Sequence, residues 1–101
     1  RKILQTMKTY NYNGLNVYLK ATSYANNGSL AVQMLSGDDN EFYDVITVNL
    51  GSFLQTEQLA FVDDNNLPGI GQWLESNGIA TPTGYSQTSG FCNYPLYEFH
   101  L

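Results

Sequence analysis

Leu15-Asn16-Val17-Tyr18-Leu19-Lys20-Ala21-Thr22-Ser23-Tyr24 alternates side chains with a period of two. Leu15, Val17, Leu19 and Ala21 fall on one side, and Asn16, Tyr18, Lys20 and Thr22 on the other. That period belongs to a strand buried on one face, because successive Cβ atoms of extended backbone point in opposite directions. Turn signals stand on both sides of it. Asn13-Gly14 precedes it and Asn26-Asn27-Gly28 follows, and Asn and Gly tolerate the positive φ that tight hairpins need. A short Tyr-rich strand over Lys8–Tyr12 therefore pairs backward and a strand over Leu30–Leu35 pairs forward. In the latter, Leu30, Val32 and Met34 form the apolar row.

Gly37-Asp38-Asp39-Asn40 marks a third turn, made of residues that cap their own backbone. A fourth strand is expected over Phe42–Leu50, with Ile46, Val48 and Leu50 on one face. Asp44 shares that face by parity, so it is expected at the end of the sheet or beside a bulge. Strands joined by such short turns make an antiparallel meander with one face left to be covered.

The cover is expected from a helix that starts near Asn65-Asn66-Leu67-Pro68. Asn caps helix N-termini well, and Pro is tolerated in the first turn because its missing N–H would be unpaired there. Ile70, Trp73 and Leu74 stand at i, i+3 and i+4, one stripe to lay on the sheet, and Asn77-Gly78 ends it as a left-handed cap. Residues 55–58 read as a loop or one helical turn, and Leu59–Val62 as a short strand or extended link. Residues 80–90, with two glycines and no strongly apolar side chain, read as a long ordered loop. Phe91–Leu101 returns to strand character, and Pro95 confines it to an edge or to a pairing that begins after it. The fold class expected is α+β: an antiparallel meander of four to six strands with one short helix on one face. Residues 7–101 make the single domain, and residues 1–6 an N-terminal extension or expression remnant before a natural start at Met7.

Charge is arranged unevenly. Arg1, Lys2, Lys8 and Lys20 are all the cations, whereas the nine Asp and Glu residues all follow Lys20, so the net charge of −5 divides into +4 and −9. An anionic body repels phosphate and attracts basic surfaces, which argues against nucleic acid as a direct ligand and for a basic protein partner. The carboxylates gather as Asp38, Asp39, Glu41 and Asp44 around one hairpin, and as Asp63 and Asp64 before the helix. These six are the candidate partner-binding residues. Eight Tyr, five Phe and one Trp add a polar, aromatic surface suited to macromolecular contact.

Catalysis finds little support. Cys92 and His100, the only residues of their kinds, would lie about 27 Å apart along one strand. One Cys and one His fall short of a zinc set, and neither Asp-rich run has the alternating spacing of a calcium loop. Gly69-Ile70-Gly71 lacks the Lys of a phosphate loop. No cofactor, metal site or catalytic residue is expected. A single Cys fits a reducing compartment, and no apolar run approaches the roughly 20 residues of a membrane span. A cytoplasmic location is the expectation.

Several stretches carry a resemblance: Tyr24-Ala25-Asn26-Asn27-Gly28-Ser29-Leu30-Ala31-Val32-Gln33, Phe61-Val62-Asp63-Asp64-Asn65-Asn66, Trp73-Leu74-Glu75-Ser76-Asn77-Gly78, and Ser89-Gly90-Phe91-Cys92-Asn93-Tyr94-Pro95-Leu96-Tyr97-Glu98-Phe99. From Met7 on, the chain resembles a family of small acidic proteins, a domain of unknown function, on conjugative elements, plasmids and phages of Firmicutes. The family brings no catalytic residues to carry over. The resemblance implies a mobile element in a bacterial host cell, where small acidic proteins counter host defence as anti-CRISPR and antirestriction proteins do. The function expected by that analogy is non-enzymatic inhibition of a nucleic-acid-targeting defence protein, a Cas9-type effector, through protein–protein contact. The alternatives are an accessory of conjugation that binds a basic partner, and a small metal-dependent enzyme.

Overall fold

The computed structural model describes residues 8–51 and 58–101. The expectations for residues 1–6, for Met7 as a start and for a loop or helical turn over 55–57 lie outside the described residues. In chain order the elements are β1 (Tyr10–Tyr12), β2 (Leu15–Ser23), β3 (Leu30–Ser36), β4 (Phe42–Val45), β5 (Thr47–Val48), β6 (Leu59–Val62), α1 (Ile70–Ser76), β7 (Ala80–Ser89) and β8 (Cys92–Phe99). The class is α+β, with an antiparallel meander and one short helix, as the sequence predicts. The described strands divide into two sheets of four, in the orders β1-β2-β3-β4 and β5-β6-β8-β7.

The first sheet is the meander. Val17 stands opposite Tyr10 on one side and Ser36 on the other. Of the alternating row on β2, only Val17 is fully buried. Leu19 is half-buried, and Leu15 and Ala21 are exposed. The row is real, but the rest of the molecule covers only its middle.

The strand expected over Phe42–Leu50 is two strands in different sheets. The change of sheet happens at Ile46, which is fully buried. Its N–H donates to Val32 in the first sheet, and its carbonyl accepts from the N–H of Asp63, next to β6 of the second. One residue thus satisfies both its backbone groups in two sheets, which is how the chain crosses the core without orphaned polar groups. The Thr47 hydroxyl supports the crossing by accepting from the N–H of Val32 and sharing a 2.9 Å hydrogen bond with the Tyr24 hydroxyl. Asp44 lies beside a register shift, because Met34 faces Asp44 while Leu35 faces Phe42. The parity conflict is resolved by that bulge.

Residues 80–90 are not a loop. Ala80–Ser89 is a strand that pairs with β8 along its length, interrupted between Pro82 and Ser86. In the interruption Gly84 has φ +92°, and the Thr83 hydroxyl donates to the Leu96 carbonyl while accepting from the N–H of Tyr85. Pro and Gly mark a bulged edge strand here, a role they share with loops and which composition does not separate. Pro95 behaves as expected. β6 pairs with β8 only over Leu96–Glu98, beyond the proline.

Helix α1 starts later than the Asn residues suggest. Gly69, at φ 87°, takes the N-cap position and offers no side chain. The capping role falls to Asp64, whose Oδ1 accepts from the N–H of Gly71 at 3.2 Å. The other end is as expected: the N–H of Ile79 reaches the carbonyl of Leu74, and that of Gly78 reaches Glu75, a Schellman pair closed by Gly78 at φ 69°. Ile70 and Leu74 are fully buried, in one core with Val17, Val32, Met34, Ile46, Val62, Tyr97 and Phe99. Trp73 is half-buried and packs on the margin of that core. Both sheets and the helix therefore share one core. Among the described residues no helix is long and apolar enough to cross a membrane.

Candidate functional site

The six acidic candidates divide by what their oxygens do. Asp63 directly follows β6 and is 7 % exposed. Its two oxygens accept from the backbone and side-chain amides of Asn66, at 3.2 and 2.9 Å. Asp64 caps the helix as described. Both carboxylates serve the link from β6 to α1, where Asp and Asn are the residues that close such turns on themselves. Asp63 is thereby removed from the surface a partner could touch.

Asp38, Asp39, Glu41 and Asp44 are all exposed on the β3–β4 hairpin. Asp38 accepts a long 3.4 Å bond from the Asn16 amide, Asp39 accepts from the N–H of Glu41 at 3.0 Å, and Asp44 accepts from the N–H of Val45 at 2.8 Å. The N–H of Glu41 holds the Asp39 carboxyl below its ordinary value, and the Ser36 hydroxyl adds to this. Each of these partners is an amide or hydroxyl, and among the described residues no cation pairs with these carboxylates. Asn40 closes the turn at φ 62°, a conformation that Asn accepts more readily than most residues.

Two residues of this hairpin escape a reading based on charge. Phe42 is 52 % and Tyr43 is 40 % exposed, so an acidic tip carries two large aromatic side chains beside its carboxylates. The bulge puts them there. β4 gains an extra residue against β3, and the regular inward alternation is lost between Phe42 and Asp44. Period-two parity assigns Phe42 to the apolar row, and only the register shift shows otherwise.

A second acidic cluster lies at the helix. The Tyr97 hydroxyl donates to Glu75 Oε2 at 2.8 Å. Gly71 sits so close that a Cβ there would stand 2.5 Å from the Tyr97 oxygen and 2.9 Å from Asp64 Oδ2. Burial pushes the Tyr97 phenol well above its ordinary range, and the Glu75 and Asp64 carboxylates push it the same way. This arrangement ties β8 to α1. Cys92 and His100 stand at opposite ends of β8, and among the described residues no three of His, Cys, Asp and Glu come together as a metal-ligand set.

Fold and site together define a small two-sheet α+β domain that presents an exposed acidic and aromatic hairpin. The chain belongs to the family described as a domain of unknown function (DUF4313), whose sequence profile matches residues 18–101. No match was found among curated proteins or among solved structures.

Proposed function

We propose that the protein is a non-enzymatic inhibitor that binds a basic surface of a nucleic-acid-targeting defence protein, a Cas9-type effector, through the β3–β4 hairpin. The observation that carries this reading is the hairpin itself: Asp38, Asp39, Glu41 and Asp44 stand exposed around the exposed Phe42 and Tyr43. Exposed carboxylates steer a basic partner, while aromatic side chains supply area that stays bound after contact. Cas9-type nucleases hold nucleic acid in positively charged channels, which such a tip complements. The resemblance to small acidic proteins of mobile elements supports the same assignment by analogy. Asp63 and Asp64 take no part in it, because their oxygens serve the turn and the helix.

The test is a pull-down with a Cas9-type nuclease together with a DNA-cleavage assay. Inhibition is expected with the native chain and is expected to be lost when Asp38, Asp39 and Glu41 are replaced by Asn, Asn and Gln. Full cleavage at large molar excess of the native chain rejects the reading for that effector.

A further inference from the structure

Lys8 and Lys20 are the two described cations, and both line one open cleft of about 680 Å³, together with Tyr10, Tyr18, Leu19, His100 and Leu101. No side-chain carboxylate is among its described lining residues. The topology makes the cleft. β1 pairs with β2 only over Leu15–Val17, so beyond Val17 that side of β2 has no strand beside it among the described residues. The chain leaving β8 in the other sheet brings His100 and Leu101 to this place, with the N–H of His100 bonded to the Ile79 carbonyl. Residues far apart in sequence, including the chain's single His, converge there.

We propose that this cleft binds a small organic anion with a flat apolar body, its carboxylate or phosphate end held by Lys8, Lys20 and His100. The volume falls in the range of small-molecule sites, about 300–1,000 Å³. Its walls divide as such a ligand requires. Tyr10, Tyr18, Leu19 and Leu101 offer ring faces and alkyl surface, and the three basic side chains offer only donors when protonated. Two of those groups are already positioned: the Lys8 ammonium lies 5.6 Å from the centre of the Tyr10 ring, and His100 Nε2 shares a 2.7 Å hydrogen bond with the Thr81 hydroxyl. The net charge of −5 does not forbid an anion here. At physiological salt, charges more than about 8 Å away are largely screened, so the groups in contact with the ligand decide. This site is separate from the hairpin and does not depend on the partner proposed for it.

The experiment is a titration of the full chain, followed by two-dimensional NMR, with phenyl phosphate, inorganic phosphate and benzyl alcohol. Phenyl phosphate is expected to give saturable shifts confined to the cleft residues. Inorganic phosphate, lacking the ring, and benzyl alcohol, lacking the charge, are each expected to bind at least about tenfold more weakly. The double variant Lys8→Gln, Lys20→Gln changes two exposed side chains and is expected to keep the native spectrum while losing about tenfold in affinity or more. Absence of saturable shifts at millimolar phenyl phosphate, shifts centred elsewhere, or unchanged affinity in the folded double variant overturns the proposal.

Discussion

The indole N–H of Trp73 donates to the backbone carbonyl of Asn11 at 2.7 Å, a bond from the helix to the first strand across 62 residues of chain. Tyr10 and Tyr12, on either side of Asn11, meet the indole edge-on, with ring centroids 5.9 and 5.1 Å away. β1 has only three residues, and among the described strands it pairs with β2 alone. A strand so short gains little from its ladder. Its place in the molecule rests on the clasp around Trp73.

Replacing Trp73 by Phe keeps a ring between the two tyrosines and removes the donor. One net hydrogen bond is worth about 1 kcal/mol, and the smaller ring forfeits part of the edge contacts. A loss of about 1–2 kcal/mol in urea unfolding is expected. The more telling readout is local: amide exchange at Tyr10 and Tyr12 should accelerate more than exchange at Val32 or Met34. Equal acceleration throughout would show that β1 is held by its ladder.

Gly71→Ala sets two effects against each other. Within a helix Ala is favoured over Gly by about 1 kcal/mol. Here, however, the added carbon meets the Tyr97 oxygen at 2.5 Å and Asp64 Oδ2 at 2.9 Å. Neither yields freely, since Tyr97 is bonded to Glu75 and packed in the core, and Asp64 holds the N–H of Gly71. Overpacking of this kind costs about 1–3 kcal/mol, so the clash wins and Gly71→Ala is expected to lower the melting temperature. In a Tyr97→Phe background the nearest obstacle is gone, and the same substitution should cost less.

The sequence made the meander legible because turn residues and period-two rows agree from Asn13 to Met34. It made the helix stripe legible as well, since Ile70, Trp73 and Leu74 all face the core or its margin. What it hid has a common cause. The switch of sheets at Ile46, the bulge that exposes Phe42 and Tyr43, and the strand character of Ala80–Ser89 are decided by which distant strand lies alongside. Local propensity does not carry that information. Asp63 illustrates the same limit at the site. An Asp-Asp-Asn-Asn run is equally suited to a docking surface and to a self-capped turn, and only the burial of Asp63 distinguishes them.

Raising the pH should unfold the protein partly through Tyr97. Burial and the Glu75 and Asp64 carboxylates raise the folded-state value above the ordinary 10.0. In the unfolded chain the phenol loses its proton at about pH 10, while the folded protein still holds it. The unfolded state then binds fewer protons, so stability falls with rising pH. The contribution is fully present below about pH 10 and is lost progressively above it. Urea unfolding at neutral pH and above pH 10 should show this loss, and Tyr97→Phe should flatten that part of the profile.

The two groups of acidic residues should separate cleanly by substitution. Asp63→Ala removes the acceptor of two amide bonds at a position only 7 % exposed, and the backbone N–H of Asn66 loses its partner. A cost of about 1–3 kcal/mol is expected, from the loss of two hydrogen bonds worth about 0.5–1.5 kcal/mol each. Asp38→Asn and Glu41→Gln act on exposed side chains, and each should shift stability by no more than about 0.5 kcal/mol. Partner affinity should follow the opposite order. The hairpin variants should weaken binding while remaining fully folded, and the weakening should shrink as salt is raised, because screening already removes the attraction they delete. If Asp63→Ala abolished binding at a temperature where it is still folded, while the hairpin variants left binding intact, the interface would lie at the base of α1 and not on the β3–β4 tip.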